Sequence, residues 1–90
     1  MNEPTITDVI YKSGTLPNKP GWDVLLVIYK SHGTFINSFV IALDEDGSIL
    51  RRVDPFLDQW ERITNEDDLR QFRACFDARD EARSDPEGKG

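Results

Sequence analysis

The stretch WDVLLVIYKSHGTFINSFVIAL, residues 22–43, decides the fold. Residues 22–30 and 35–43 are rich in β-branched and aromatic side chains, which is typical of β-strands. Between them, His32 and Gly33 can form a two-residue hairpin loop, because glycine accepts a positive φ and histidine tolerates it better than most residues. The stretch therefore predicts two antiparallel strands at the centre of a sheet.

The hairpin loop also predicts which side chains share a face of the sheet. A pairing of Ser31 with Thr34 sets the register, and both faces then come out largely apolar. Antiparallel sheets usually expose one face to water, so this sheet needs a covering on each side. We expect a helix on the first face, which carries Phe39 and Ile41, and a partner, such as a second copy of the chain, on the other. The candidate dimer face consists of Leu25, Val27, Tyr29, Ile36 and Val40.

Shorter segments on either side predict further elements. Residues 5–12 alternate like a first strand, whereas two prolines and two glycines make residues 13–21 a loop. Residues 48–53 predict a fourth strand. For residues 54–63 we favour a short helix, because an aspartate can cap it and the following proline suits its first position. The alternative is an irregular segment or a fifth strand with Trp60 packed inward.

Residues 64–83 predict the clearest helix. Thr64 or Asn65 can cap it, and three acids at 66–68 suit the positive end of its dipole. An apolar stripe runs along the helix and consists of Leu69, Phe72 and Phe76. Charged residues interrupt this stripe near the C-terminal end, so we expect the last turns to leave the core.

These elements predict an α+β fold. It comprises a four-stranded, or five-stranded, antiparallel sheet, followed by a short helix and a longer C-terminal helix packed on one face. We expect one small domain over residues 1–83 and a disordered, polar tail over 84–90. The chain lacks the pattern of a secretion signal, and its single cysteine fits a reducing compartment, so we expect a cytoplasmic protein.

The net charge of −6 lies entirely in the second half of the chain. Residues 1–43 contain three acids and three bases, whereas residues 44–90 contain fourteen acids and eight bases. Direct binding to nucleic acid needs a basic patch, so this composition disfavours it. The asymmetry instead favours a protein partner with a basic surface.

No motif in the chain predicts catalysis or cofactor binding. His32 lies in the predicted hairpin loop and Cys75 beside the helix stripe, and no pattern sets a partner group near either. Residues 44–47, Asp-Glu-Asp-Gly, match the third to sixth positions of a calcium loop. However, Ala42 and Val53 stand where its first and twelfth ligands belong. We therefore interpret 44–47 as a turn and expect no metal, no cofactor and no enzyme.

The favoured function is a non-enzymatic protein-binding module, in the form of a small acidic inhibitor that occludes a basic, nucleic-acid-binding surface. Anti-defence proteins of phages and mobile elements, such as anti-CRISPR proteins, are of this kind, which is an analogy of size and charge alone. The alternatives are an immunity or antitoxin protein and a homodimeric scaffold or regulatory subunit; a small enzyme is disfavoured, and no membrane partner is expected. The expected partner-binding residues are Asp44, Glu45, Asp46, Asp58, Trp60, Glu61, Glu66, Asp67 and Asp68.

Overall fold

Five antiparallel strands and one helix make up the part of the chain that the computed structural model describes, residues 5–54 and 56–84. Each strand pairs with the next in the chain, so the sheet is a meander with the order β1-β2-β3-β4-β5. The α+β class and the C-terminal helix are confirmed, whereas residues 85–90 of the expected tail lie outside the described residues. The elements are β1 Asp8–Leu16, β2 Lys19–Ser31, β3 Thr34–Leu43, β4 Ile49–Asp54, β5 Gln59–Arg62 and α1 Glu66–Ser84.

The loop between β2 and β3 is the expected two-residue hairpin. His32 and Gly33 have φ values of 50° and 84°, and Ser31 pairs with Thr34. A two-residue loop with both φ values positive matches the right-handed twist of the strands that it joins. The central pair of strands is therefore correctly predicted.

The register of that central pair changes after two residue pairs. A β-bulge lies between Tyr29 and Lys30, so Lys30 pairs with Phe35 but Tyr29 pairs with Asn37. One extra residue in β3 moves every later side chain of that strand to the other face. The face assignment made from an unbroken register is therefore wrong for β3.

This shift overturns the grouping of the candidate dimer face. Leu25 and Val27 are fully buried beneath α1, where they pair with Ile41 and Phe39. Val40 pairs with Leu26 on the opposite side of the sheet. The residues Leu25, Val27, Tyr29, Ile36 and Val40 therefore do not form one exposed face.

The segment expected to be a loop, residues 13–21, is a hairpin. β1 continues to Leu16 and β2 begins at Lys19, with Pro17 in the turn between them. Proline suits a turn because its φ is already fixed there, and a bulge between Gly14 and Leu16 absorbs the change of register. Both strands are consequently longer than the composition indicates.

The short helix favoured at 54–63 is absent from the described residues, and the alternative, a fifth strand, is confirmed as β5. Asp54 does not cap a helix: its Oδ1 accepts the backbone N–H of Phe56 at 2.8 Å, which closes a local turn. The chain then pairs back along β4, with Trp60 opposite Arg52. Strand pairing and packing of the indole prevail here over a one-turn helix, which has little stability of its own.

Helix α1 begins at the expected cap and covers one face of the sheet. The Oδ1 of Asn65 accepts the backbone N–H of Asp68 at 3.0 Å, which satisfies one of the free donors of the first turn. Among the described residues, no helix is long and apolar enough to cross a membrane. The buried cluster beneath the helix consists of Leu25, Val27, Ile41, Ile49, Ile63, Phe72, Cys75 and Phe76.

Helix α1 stays against the sheet as far as Arg79, further along than expected, whereas residues 80–82 are exposed, as expected. The side chain of Arg79 is only 6% exposed, and its guanidinium donates to both carboxylate oxygens of Asp23 at 2.7 Å. It also donates to Asp80 and to the hydroxyl of Ser13 on β1. These bonds raise the pKa of Arg79, with the bonds to Asp23 contributing most. Arg79 therefore ties the C-terminal half of the helix to β1 and β2.

Truncation of Leu25 tests the position of the core. Leu25→Ala should lower the free energy of unfolding by about 2–5 kcal/mol, because it leaves a cavity in a fully buried site. Val53, which is 55% exposed, is the control, and Val53→Ala should change it by less than about 0.5 kcal/mol. Urea unfolding followed by circular dichroism measures both. If Leu25→Ala and Val53→Ala unfold at the same urea concentration, Leu25 does not lie in the core.

Removal of Asp23 tests the tie made by Arg79. Asp23→Asn should cost roughly 1–3 kcal/mol of unfolding free energy, less than a fully buried pair would cost, because Asp23 is 39% exposed. In the double variant Asp23→Asn/Arg79→Met, part of that loss should be recovered, since no unpaired charge remains buried. If the double variant loses the sum of the two single changes, the ion pair does not stabilise the helix end.

Candidate functional site

The sheet curls toward the face opposite α1, which we call the open face. Trp22 of β2 and Trp60 of β5 meet there with ring centroids 5.4 Å apart and planes at 81°. In a flat sheet their strands would be separated by roughly 14 Å, three strand spacings. Beside this contact Val24 and Ala42 are buried, although no helix in the described part of the chain covers them. The sheet therefore covers part of its own second apolar face.

A carboxylate joins the two sides of this closure. Asp58 accepts hydrogen bonds from the Nζ of Lys19 at 2.5 Å, the Nε1 of Trp60 at 2.6 Å and the Nδ2 of Asn18 at 2.7 Å. The bond from Lys19, followed by those from Trp60 and Asn18, holds the pKa of Asp58 well below its usual range. We call Asn18, Lys19, Trp22, Asp58 and Trp60 the tryptophan cluster.

Cations lie over both indoles. Lys19 Nζ is 5.2 Å from the ring centroid of Trp22, and the guanidinium carbon of Arg52 is 5.8 Å from that of Trp60. Such cation–π contacts add to the cluster and occupy ring surface that would otherwise face solvent. Two expected partner-binding residues, Asp58 and Trp60, are therefore already engaged within the chain.

Two of the expected acidic segments lie at the same end of the sheet. The turn Asp44–Asp46 precedes β4, and Glu66–Asp68 forms the first turn of α1. The backbone N–H of Ile63 donates to the carbonyl of Ile49 at 3.0 Å, which brings the start of the helix beside the start of β4. We call these two segments together the acidic end.

The acidic turn before β4 contacts other elements on two sides. Gly47 and Ser48 of the turn line one shallow pocket together with Leu69 of α1. On the other side, the turn packs against the start of β2, where a Cβ built on Gly21 would lie 2.7 Å from the Cγ of Glu45. The turn is therefore held between the helix and β2.

The turn itself is built by its first aspartate. The Oδ1 of Asp44 accepts the backbone N–H groups of Asp46 and Ser48 at 3.0 and 2.8 Å, and Gly47 has a φ of 87°. This geometry is that of a hairpin turn closed by a glycine in the left-handed region. Asp44 thus shapes the acidic turn, whereas Glu45 and Asp46 project from it as exposed side chains.

Most of the other acids of the acidic end carry unbalanced charge. Asp67 pairs with Arg70 at 3.3 Å, but no ion pair in the described part of the chain involves Glu45, Asp46 or Glu66. Arg62 and Arg73 line the shallow pocket between the two segments. Six carboxylates at this end therefore outnumber its three arginines. Glu61 stands apart, since it pairs with Arg51 at 3.6 Å on the edge of the sheet.

Comparison with known proteins identifies no family. No family model, no curated protein and no solved structure matches this chain. The functional inference therefore depends on the surfaces of the domain itself.

The residues considered for catalysis are not brought together. His32 is exposed in the hairpin between β2 and β3, whereas Cys75 is buried beneath α1, and burial raises the pKa of its thiol. The pKa values of Tyr11 and Tyr29 are also raised, mainly by burial and secondarily by Cys75. Within residues 5–54 and 56–84, no group of three His, Cys, Asp or Glu side chains could hold a metal ion.

Three surface features were missed by the sequence reasoning. The tryptophan cluster depends on contacts between residues about 40 positions apart, which no local pattern reveals. Phe56 is 92% exposed beside Leu57 in the connection from β4 to β5, a segment that was expected to be helical. The third feature is the set of cations that strand pairing brings to the open face, which are Lys12, Arg52 and Arg62.

The pH dependence of the tryptophan cluster tests the role of Asp58. Because its pKa is lowered by folding, its stabilising bonds are complete above the unfolded-state value of about 3.9 and are lost only as pH falls through the lower folded-state value. Near-ultraviolet circular dichroism of the paired indoles should therefore persist from neutral pH to about pH 3.5.

Two variants give this experiment its controls. Asp58→Asn should weaken the dichroism of the indole pair at every pH, because the charged acceptor for Lys19 is gone. Asp46→Asn, which changes one exposed acid outside the cluster, should behave like the unchanged protein. A wild-type signal that titrates with a midpoint near 4 would mean that Asp58 is not held in the cluster.

Proposed function

We propose that this protein is a non-enzymatic protein-binding domain that docks its acidic end onto a basic surface of a partner. The observation that supports the proposal is the meeting of two acidic segments, Asp44–Asp46 and Glu66–Asp68, at one end of the sheet. They are separated by about twenty positions in the chain, so their proximity is a property of the fold. Several of their carboxylates lack a cation within the described residues and are available to a partner.

The physical role of such a surface is to steer and orient a partner. Clustered charge of one sign raises the rate of encounter with an oppositely charged surface and disfavours partners of like charge. The acids of the first turn also sit at the positive end of α1, where the helix dipole stabilises them. The domain can therefore carry this charge at little cost to its own stability.

The form of the function that we favour is occlusion of a nucleic-acid-binding surface. A surface that neutralises phosphates with lysine and arginine also attracts a rigid array of carboxylates. Small acidic inhibitors of phages and mobile elements, including anti-CRISPR proteins, share this size and charge, as do immunity and antitoxin proteins. The support for this form of the function is the size and charge of the domain. What the candidate classes have in common is a partner with a basic surface.

Neutralisation of the acidic end tests the proposal. The variant Glu45→Gln/Asp46→Asn/Glu66→Gln should lose partners captured from the source cell, because it removes three unbalanced carboxylates and leaves Asp44 and the helix cap intact. Mass spectrometry should identify the lost partners as proteins with a basic surface. Their retention by the unchanged protein should also fall steeply with added salt.

A matched variant separates position from net charge. Asp8→Asn/Asp77→Asn/Glu81→Gln changes the charge by the same amount at exposed sites away from the acidic end, and it should retain the partners. Circular dichroism confirms that both variants are folded. Equal capture by the two variants would contradict a role for the acidic end.

A further inference from the structure

The open face of the sheet combines an aliphatic strip with positive charge. Leu26, Ile28, Val40 and Leu50 lie on it, and each is only partly buried. Beyond the tryptophan cluster, no helix or strand within residues 5–54 and 56–84 packs across this strip. A partly buried aliphatic strip on one side of a sheet is a surface that another chain can cover.

Cations border the strip on several strands. Strand pairing puts Lys12 beside Leu26, and Lys30 two residues beyond Ile28 on the same face. Arg62 lies beside Leu50 at the corner that this face shares with the acidic end, and its guanidinium also donates to the hydroxyl of Ser48 at 3.1 Å. Arg52 lies in the middle, opposite Trp60. The acids on this face are Asp8, which pairs with Lys30 across the strands, and Asp58, which Lys19 already neutralises within the tryptophan cluster. The open face is therefore locally positive in a chain whose net charge is −6.

The centre of the face carries an unsatisfied donor. Ser38, Val40 and Arg52 line a pocket of about 310 Å³ there. The Nε of Arg52 is buried and has no hydrogen-bond partner among the described residues. A buried donor without an acceptor costs free energy, and a carboxylate bound to this guanidinium would let it reorient and recover the bond.

We propose that the open face binds an acidic amphipathic segment of another protein, whose apolar side chains cover the aliphatic strip and whose carboxylates pair with Arg52, Lys12 and Arg62. Charge complementarity identifies this occupant. A second copy of the chain, placed face to face, would set these cations against their own counterparts, so a symmetric dimer through this face is disfavoured.

Single-stranded nucleic acid fits the open face less well than an acidic peptide. Base stacking needs free aromatic surface, but Lys19 and Arg52 already lie over Trp22 and Trp60. The remaining surface is aliphatic. A polyanion would also be repelled by the net charge of the domain more strongly than a peptide with a few carboxylates.

A synthetic peptide pair tests the binding. The probe is a helical peptide of roughly 18 residues, about 27 Å long, with leucine on one side and glutamate along both flanks. Its length suits a molecule with extents of 42 × 35 × 26 Å. The comparison peptide carries lysine in place of every glutamate. We expect the glutamate peptide to bind and to shift the backbone amide resonances of Leu26, Val40 and Leu50, and the lysine peptide to bind at least tenfold more weakly.

Two charge-reversal variants locate the site. Lys12→Glu/Arg62→Glu should weaken binding of the glutamate peptide at least tenfold. Arg70→Glu/Arg73→Glu, which makes the same change of charge on the exposed side of α1, should alter it less than twofold. Circular dichroism confirms folding, and all four substituted side chains are exposed, so neither variant removes a core contact.

Several outcomes would overturn the proposal. These are no binding of the glutamate peptide, equal binding of the two peptides, or equal weakening by the two variants. Tighter binding of a single-stranded oligonucleotide of roughly 15 nucleotides at the same resonances would assign the face to nucleic acid instead. Light scattering that shows a dimer, with an interface mapped to the open face, would assign it to a second copy of the chain.

Discussion

The structure depends on one constraint, which is that the two central strands are apolar on both faces and each face must be shielded from water. Helix α1 shields the face that carries Leu25, Val27 and Ile41, and these side chains are fully buried. The other face is shielded in part by curling of the sheet, which lets Trp22 meet Trp60 and buries Val24. One helix is enough because the large side chains at the sheet margins cover part of the face that a second layer would otherwise cover.

The same arrangement separates charge of opposite sign. The acids concentrate in the turn before β4 and in the first turn of α1, because both positions tolerate them: one is a solvent-exposed turn and the other a helix N-terminus. On the open face, Lys12, Lys30 and Arg52 each follow an aliphatic residue two positions earlier, because the pleat puts residues i and i+2 on the same face. A chain that is acidic as a whole consequently has a local surface with basic character, and net charge alone is a poor guide to its partners.

Local sequence patterns predicted most of the strands and the long helix, but not the contacts between segments that are distant in the chain. The hairpin at His32-Gly33 and the cap at Asn65 depend on neighbouring residues, and the structure agrees with both. The bulge at Tyr29/Lys30 and the strand at Gln59–Arg62 depend on packing of distant groups. The bulge was missed, and the strand was only the alternative to a short helix. Arg79 stands at the spacing of the stripe of Phe72 and Phe76, but a charged residue at a core position is informative only when its partner, Asp23, is known.

The sequence separations in this fold bear on how the chain folds. A meander pairs each strand with its neighbour in the chain, so most of the sheet can form from local encounters, which favours fast folding. The bonds of Asp58 to Asn18 and Lys19 span about 40 residues, and those of Arg79 to Asp23 and Ser13 span 56 and 66. Such contacts become favourable only after the loops between them are closed by other structure. The tryptophan cluster and the hydrogen bonds of Arg79 therefore form late in folding. They slow the unfolding of the native state more than they speed its formation.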